Sequence, residues 1–355
     1  MTDNNEFRAG YVAVIGRPNV GKSTLINALL NQKIAAVSPK PQTTRRNQLG
    51  ILTLPEAQII FVDTPGLHVP QHKLGDFMNQ AANNALLDAD IILWLLDSSE
   101  SLTAEDRLIG EKIGNVRKLP PVWIGLTKTD LISADVLEER KKQALELFPA
   151  RDILTLSIQA KESLDSLLAL IIEHLPAGEP FFDEDIITDA YERDIAAELI
   201  RESVLMHIRD EVPHCVAVQI DAYEERPDEG AYIEATLYVE RDSQKGILVG
   251  KGGEMIKTIG TRSRKEIEAM SGRKVFLKLR VKVNKNWRNS QDALELLGYK
   301  NRKESNVHLA VLSRVWIRSV GLGFHLERME KAALYGKAGG YGLPHHMVDP
   351  TNRME

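Results

Sequence analysis

A single cysteine, Cys215, among 355 residues rules out an internal disulfide and fits a reducing compartment. Long hydrophobic runs are missing too. The longest purely aliphatic and aromatic stretch covers residues 91–96, far short of the ~20 apolar residues a membrane helix needs, so it reads as a buried central strand. Residues 1–10 are polar with acidic members and lack the basic-then-apolar order of a secretory signal, so a cytoplasmic chain is expected. There is no internal repeat and no low-complexity tract. What remains is an ordinary soluble composition, 43 % hydrophobic and 27 % charged, at a length that predicts two domains.

The net charge of -5 conceals an asymmetry. Residues 241–288 carry fourteen Lys or Arg against four Asp or Glu, a balance of +10 that leaves -15 for the rest. A basic module on an acidic body is either a solvated face or the electrostatic footprint of a nucleic-acid partner. From residue 11 to about 175, short apolar runs alternate with stretches of helical period. Strands are predicted over 11–15, 58–62, 91–97, 122–126 and 153–156, and helices over 22–30, 74–87, 104–116, 134–147 and 163–174. That alternation predicts an α/β domain with a mostly parallel sheet that binds its ligand at the carboxyl ends of the strands. Two prolines and a glycine in Leu175-Pro176-Ala177-Gly178-Glu179-Pro180 end the pattern. The expected organisation is a first domain over 8–176, a linker over 177–188, a second domain over 189–299 and an extension over 300–355. The second domain reads as α+β: a helix over 189–209, strands over 214–223 and 231–240 joined by a polar turn at 226–230, two helices around Gly250-Lys251-Gly252-Gly253, and a strand over 275–283.

Immediately after the first predicted strand comes Gly16-Arg17-Pro18-Asn19-Val20-Gly21-Lys22-Ser23, followed by Thr24. It fits the phosphate-loop pattern in the setting that gives the pattern meaning. Its glycines let successive backbone N–H groups turn toward a polyphosphate, Lys22 brings a point charge to the terminal phosphates, and the Ser23 hydroxyl is a Mg2+ ligand. The helix that begins there aims its positive end at the same phosphates.

Which nucleotide binds is read from Thr127-Lys128-Thr129-Asp130, after the strand ending near Leu126. The Asp130 carboxylate can accept from N1–H and the 2-amino group of guanine; adenine has neither donor. A buried, unpaired carboxylate would then disfavour the wrong base by several kcal/mol. The stem of Lys128 would lie along one face of the base. Asp63-Thr64-Pro65-Gly66 ends another strand: Asp63 is placed to hold Mg2+ through a water, and the Gly66 N–H to bond a γ-phosphate. In the polar loop Gln42-Thr43-Thr44-Arg45-Arg46, Thr43 or Thr44 would complete the metal shell only in the GTP state. Leu67 stands where Ras-like proteins carry a water-orienting glutamine; it is expected to be packed, and His68 is weighed as a substitute base.

These motifs, with Leu67-His68-Val69-Pro70, Leu74-Gly75-Asp76-Phe77-Met78-Asn79, Ile187-Thr188-Asp189 and Leu297-Gly298-Tyr299, resemble the Era family of bacterial ribosome-assembly GTPases over residues 8–299. The resemblance implies a phosphate-loop NTPase domain followed by a type II KH domain. It also implies GTP/GDP and Mg2+ as cofactors, with Ser23, Thr44 and Asp63 around the metal. Its partners would be the 3′ end of 16S rRNA and the 30S subunit, with the chain expected as a monomer. Some members associate peripherally with the inner membrane, so the alternative reading is a membrane-associated signalling GTPase. Gly250, Lys251, Gly252 and Gly253 would form the G-X-X-G clamp on a single-stranded backbone, with Lys257, Arg262 and Lys265 around it. Asn19 matches the loop asparagine with which some relatives hold K+, so the implied catalytic set is Asn19, Lys22, Thr44 and Gly66.

Three departures stand out. Thr127 replaces the usual asparagine, Ser157-Ile158 replaces Ser-Ala in the last guanine loop, and the chain continues after Tyr299. That extension holds an apolar stretch around Trp316, a glycine-rich segment at 335–341 and His345-His346. Docking on the second domain, a ribosome contact and a membrane contact are all open for it.

Overall fold

The computed structural model describes residues 6–38, 40–226 and 230–299. The extension 300–355 and the centre of the turn expected at 226–230 lie outside them. The first sheet is built from β1 (Arg8–Ile15), β2 (Gln48–Thr53), β3 (Ala57–Asp63), β4 (Ile91–Asp97), β5 (Val122–Thr127) and β6 (Asp152–Thr155), in the order β2-β3-β1-β4-β5-β6. All neighbours are parallel except β2, which runs antiparallel to β3. Successive residues of β1 face opposite sides. Tyr11, Ala13 and Ile15 join one core, Val12 and Val14 the other. The first face is covered by α2 (Lys73–Asp88), α3 (Ala104–Gly114) and α4 (Ala134–Leu147), the second by α1 (Lys22–Leu29) and α5 (Lys161–His174).

β2 was not expected. Its alternation is short, with Leu49 and Ile51 buried, and Gly50 between them reads as a strand breaker. The glycine is there for close approach: a Cβ at Gly50 would stand 2.8 Å from both Ile26 Cγ2 and Leu30 Cδ1, so its absence lets α1 pack onto the strand. Residues 177–188, expected as a linker, run as a strap along the first domain. Ala177 bridges Arg8, Gln58 accepts from the amides of Phe181 (2.7 Å) and Phe182 (3.0 Å), and Ile51 N–H donates to Ile187 C=O at 2.8 Å. Phe181, Phe182 and Ile186 rest on the first core.

The second sheet has β7 (Ala217–Glu225), β8 (Gly230–Val239) and β9 (Lys274–Val283), with β7 antiparallel and β9 parallel to β8. Helices α6 (Glu192–His207) and α8 (Glu254–Ser271) close its core, α7 (Asp242–Val249) precedes α8, and a short α9 (Gln291–Leu296) follows. Leu74 and Met78 of α2 share a further cluster with Ala217, Trp287, Leu294, Leu297 and Tyr299, so the two domains meet across an apolar contact. No helix among the described residues is long and apolar enough to cross a membrane.

Candidate nucleotide site and nucleic-acid face

Between β1 and α1 the chain adopts the conformation that a phosphate cradle needs. Gly16 (φ 146°), Asn19 (φ 67°) and Gly21 (φ 101°) have positive φ, and a Cβ at Gly16 would lie 2.6 Å from the Leu95 carbonyl oxygen. Arg17, with an exposed neighbour in Asn19, pairs with Glu100, Asp106 and Asp97, which ties the loop to the start of α3. Val20 is fully buried, whereas Pro18 and Thr24 line the cleft. Lys22 folds back on its own loop, donating to Gly16 C=O at 3.1 Å and Arg17 C=O at 2.9 Å. Burial lowers its pKa to about 8, against the opposing pull of Asp63.

Three oxygen side chains from separate elements converge beside it. Ser23 Oγ donates to Asp63 Oδ2 at 2.6 Å, Thr44 Oγ1 donates to the same oxygen at 3.0 Å, and the two hydroxyl oxygens are 3.0 Å apart. Of the two adjacent threonines, Thr44 is therefore the one at this centre; Thr43 Oγ1 donates to Lys40 C=O at 2.8 Å. Asp63 is 1 % exposed, its pKa is raised by that burial, and its Oδ1 has no hydrogen-bond partner. A buried carboxylate oxygen left open beside two hydroxyls suits a hard cation that takes its other ligands from phosphate and water. No group of three or more His, Cys, Asp or Glu that could hold a metal exists among the described residues.

The Asp63-Thr64-Pro65-Gly66 segment is buried throughout. Thr64 Oγ1 donates to Val14 C=O at 2.7 Å, and a Cβ on Gly66 would meet Pro18 at 2.8 Å, so only glycine fits against the phosphate loop. Leu67 is fully buried in the first core, a packed residue. His68 is buried: its Nδ1 lies 2.8 Å from Gly66 C=O, its Nε2 has no hydrogen-bond partner among the described residues, and its backbone is clasped by the Asn79 amide.

At the base end, Thr127 takes over a bracing task. Its hydroxyl reaches Val20 C=O at 2.8 Å and Leu96 C=O at 3.1 Å, and one proton serves one of them at a time. Lys128 sits at φ 57° with its ammonium on Asp97. Burial alone would raise the Asp97 pKa; Lys128 and Ser99 hold it below the usual value. Thr129 opens a single turn containing Asp130, whose Oδ1 accepts from Ser157 Oγ at 2.9 Å. Asp130 is exposed, which corrects the premise of a buried carboxylate: its discrimination arises only when a base covers it. Ile158 packs on the second core.

In the second domain, Gly250 (φ 75°), Gly252 (φ 59°) and Gly253 (φ 82°) form the turn between α7 and α8. A Cβ at Gly250 would strike Met255 at 2.7 Å, but at Gly252 and Gly253 it would meet nothing within 4 Å. That part of the turn is open to solvent at the N-terminus of α8. Lys251, Lys257 and Lys265 are exposed along this side, as are Lys245 and Arg264. Arg262 does not join them. It is half-buried, with Nη2 3.8 Å from Glu202 at the border with the first domain, because its place on α8 is more than a third of a turn away from Lys257.

Sequence reasoning missed the residues that join the two domains. Arg45, 1 % exposed, donates across the border to Val216 C=O (2.7 Å) and His214 C=O (2.9 Å), over the Trp287 ring. Arg201 on α6 reaches back to the loop that carries Thr44. The only local signal was an arginine directly after the threonine pair.

The family model for 50S ribosome-binding GTPases matches residues 11–128, and that for KH domains matches 211–288. GTPase Era of Ruminiclostridium cellulolyticum is 43 % identical over 297 residues, 84 % of this chain and 99 % of that protein. GTPase Era of Heliobacterium modesticaldum is 41 % identical over 299 residues, again 84 % and 99 %. The crystal structure of Era in complex with MgGDPNP and nucleotides 1506–1542 of 16S ribosomal RNA superposes with a TM-score of 0.79 at 38 % identity, covering 83 % of this chain and all of that one. An Aquifex aeolicus Era variant bound to GDP and aluminium fluoride gives 0.78 at 38 % identity, with 83 % of this chain and 100 % of that one covered. Matches of this extent, spanning both domains in the same order, show that the chain belongs to the GTPase Era family.

Proposed function

We propose that this protein is a GTP-hydrolysing switch that binds the 3′ region of 16S ribosomal RNA through its KH domain and assists assembly of the 30S subunit in the cytoplasm. The observation that carries the reading is the convergence of Ser23, Thr44 and Asp63 within 3.0 Å, because Thr44 belongs to the same loop that is hydrogen-bonded to the second domain. Backbone amides of the phosphate loop and of Gly66 bind and orient the phosphates, and Lys22 moves from its own carbonyls to the terminal oxygens. Ser23, Thr44 and Asp63 would hold Mg2+, which supplies charge neutralisation to the β- and γ-phosphate oxygens. With Leu67 packed, no side chain at that position orients water, so Asn19 is assigned the cation-holding role, for K+, that offsets transition-state charge.

On the nucleic-acid side, the open Gly252-Gly253 turn admits a single-stranded backbone, and the exposed lysines match its phosphates. Crosslinking of the protein to total cellular RNA tests the reading. Sites gathered at the 3′ end of 16S rRNA are expected; crosslinks spread over unrelated transcripts would contradict it.

A further inference from the structure

Among the described residues of 33–46, Ile34 and Ala35 are held by Asn27 of the first domain, while several of their neighbours are held by the second domain. Lys33 pairs with Glu202 and Glu266, and Val37 N–H donates to Glu202. Lys40 reaches Ile208 C=O, Arg45 reaches His214 and Val216, and Arg46 reaches Leu297 C=O over the Tyr299 ring. Between these anchors, Thr44 turns the other way, into the centre with Ser23 and Asp63. The two residues before it are gripped by Arg201: Nη1 donates to Gln42 C=O at 3.3 Å and Nη2 to Thr43 C=O. The guanidinium is aimed by Glu198, which accepts from Nε at 2.9 Å and also from Nη2. Arg201 is 1 % exposed, so its planar fork has no alternative partner in solvent.

We propose that Arg201, a residue of the RNA-binding domain, is a positioning residue for the nucleotide site: by holding the Gln42 and Thr43 carbonyls it fixes the Thr44 hydroxyl beside Asp63. The inference rests on the assignment of Thr44 to the GTP-state metal shell and adds which group outside the nucleotide domain sets that shell. Because Thr44 is used with GTP and released with GDP, loss of Arg201 penalises one nucleotide and not the other. Coupling is reciprocal, so a ligand that shifts α6 changes GTP affinity by the factor that GTP changes its own.

The test is Arg201→Met in the full chain, with affinities for GDP and a nonhydrolysable GTP analogue measured across a Mg2+ titration. Analogue affinity falls about tenfold, with a matching rise in the Mg2+ needed for half-saturation, while GDP affinity stays within about twofold. Arg201→Lys, which keeps the charge without the planar fork, recovers part of the loss. Lys33→Met loosens the same border away from Thr44 and leaves the ratio of the two affinities unchanged. An equal fall for both nucleotides, or no change, overturns the proposal. If Arg201→Met fails to fold, Glu198→Gln carries the test, with a smaller selective loss expected and an unchanged ratio overturning it. A wild-type protein that binds neither nucleotide would instead sink the functional reading itself.

Discussion

The two ligand sites of this molecule are built in opposite ways. In the nucleotide site the side chains are already engaged, with Asp63 Oδ1 left open: Lys22 sits on two carbonyls, Thr127 braces Val20, Ser157 steadies Asp130, and two hydroxyls share the other oxygen of Asp63. In the nucleic-acid turn, Gly252 and Gly253 have open space around them and the lysines extend into solvent. The first site is preorganised, so its selectivity comes from placing donors and acceptors where only one ligand satisfies them. The second relies on access and charge, so its affinity is expected to be tunable by salt and its contacts to be with a backbone.

The contrast is broken most severely at Asp130. Asp130→Asn replaces one acceptor carboxylate oxygen by a donor facing the guanine N1–H and 2-amino group, and GTP affinity should fall by about 10³-fold or more in a competition assay with labelled nucleotide. RNA binding in the absence of nucleotide should be unaffected. Next, Gly252→Asp combined with Gly253→Asp should weaken RNA binding by roughly 10²-fold while GTP turnover changes by less than about twofold. The open space predicts no steric clash, so thermal unfolding should shift by only the strain of two positive-φ residues. A smaller effect separates the sites by salt: if Lys251, Lys257, Arg264 and Lys265 each contact a phosphate, raising salt from about 50 to 200 mM should cost RNA affinity roughly 50-fold, and GTP affinity far less.

The smallest effect is in pH and belongs to Lys22. Free of nucleotide, its pKa is lowered to about 8 by burial; phosphates restore it toward the ordinary lysine value. The protonated form is favoured in the complex, so affinity is full below pH 8 and is lost as pH rises above it. A drop of about tenfold between pH 7 and 9, with proton uptake on binding measured by calorimetry in two buffers, is expected.

The chemistry of the nucleotide site was legible because its carriers are contiguous. Eight residues of phosphate loop need only the strand before and the helix after to acquire meaning, and the apolar runs announced both. β2 was hidden because Gly50 lowers strand propensity for a packing reason located on α1. The strap over 177–188 looked like a linker because prolines and glycine signal loops whether or not a side chain such as Gln58 takes up the backbone amides. Arg201 was beyond reach: its target carbonyl on Thr43 is 158 residues away, and a helical arginine three residues after Glu198 reads as a surface ion pair. Arg262 was misplaced for a similar reason, since proximity to the glycine turn in sequence does not decide which side of α8 a residue occupies.

That hidden border makes a sharper statement than the motifs alone. Arg45 is buried and held by two carbonyls and an aromatic face, with burial lowering its pKa and no carboxylate among the described residues paired directly to it. Burying such a charge costs several kcal/mol, against which the two carbonyl hydrogen bonds and the ring face act. Here Arg45 ties the loop next to Thr44 to the segment just before β7, the contact through which the proposed coupling of nucleotide state to KH seating would run.

The most direct measurement of that claim is the affinity of the full chain for an RNA oligonucleotide from the 3′ end of 16S rRNA, determined once with a nonhydrolysable GTP analogue and once with GDP. Binding about tenfold tighter with the analogue is expected. Affinities equal within experimental error would contradict it.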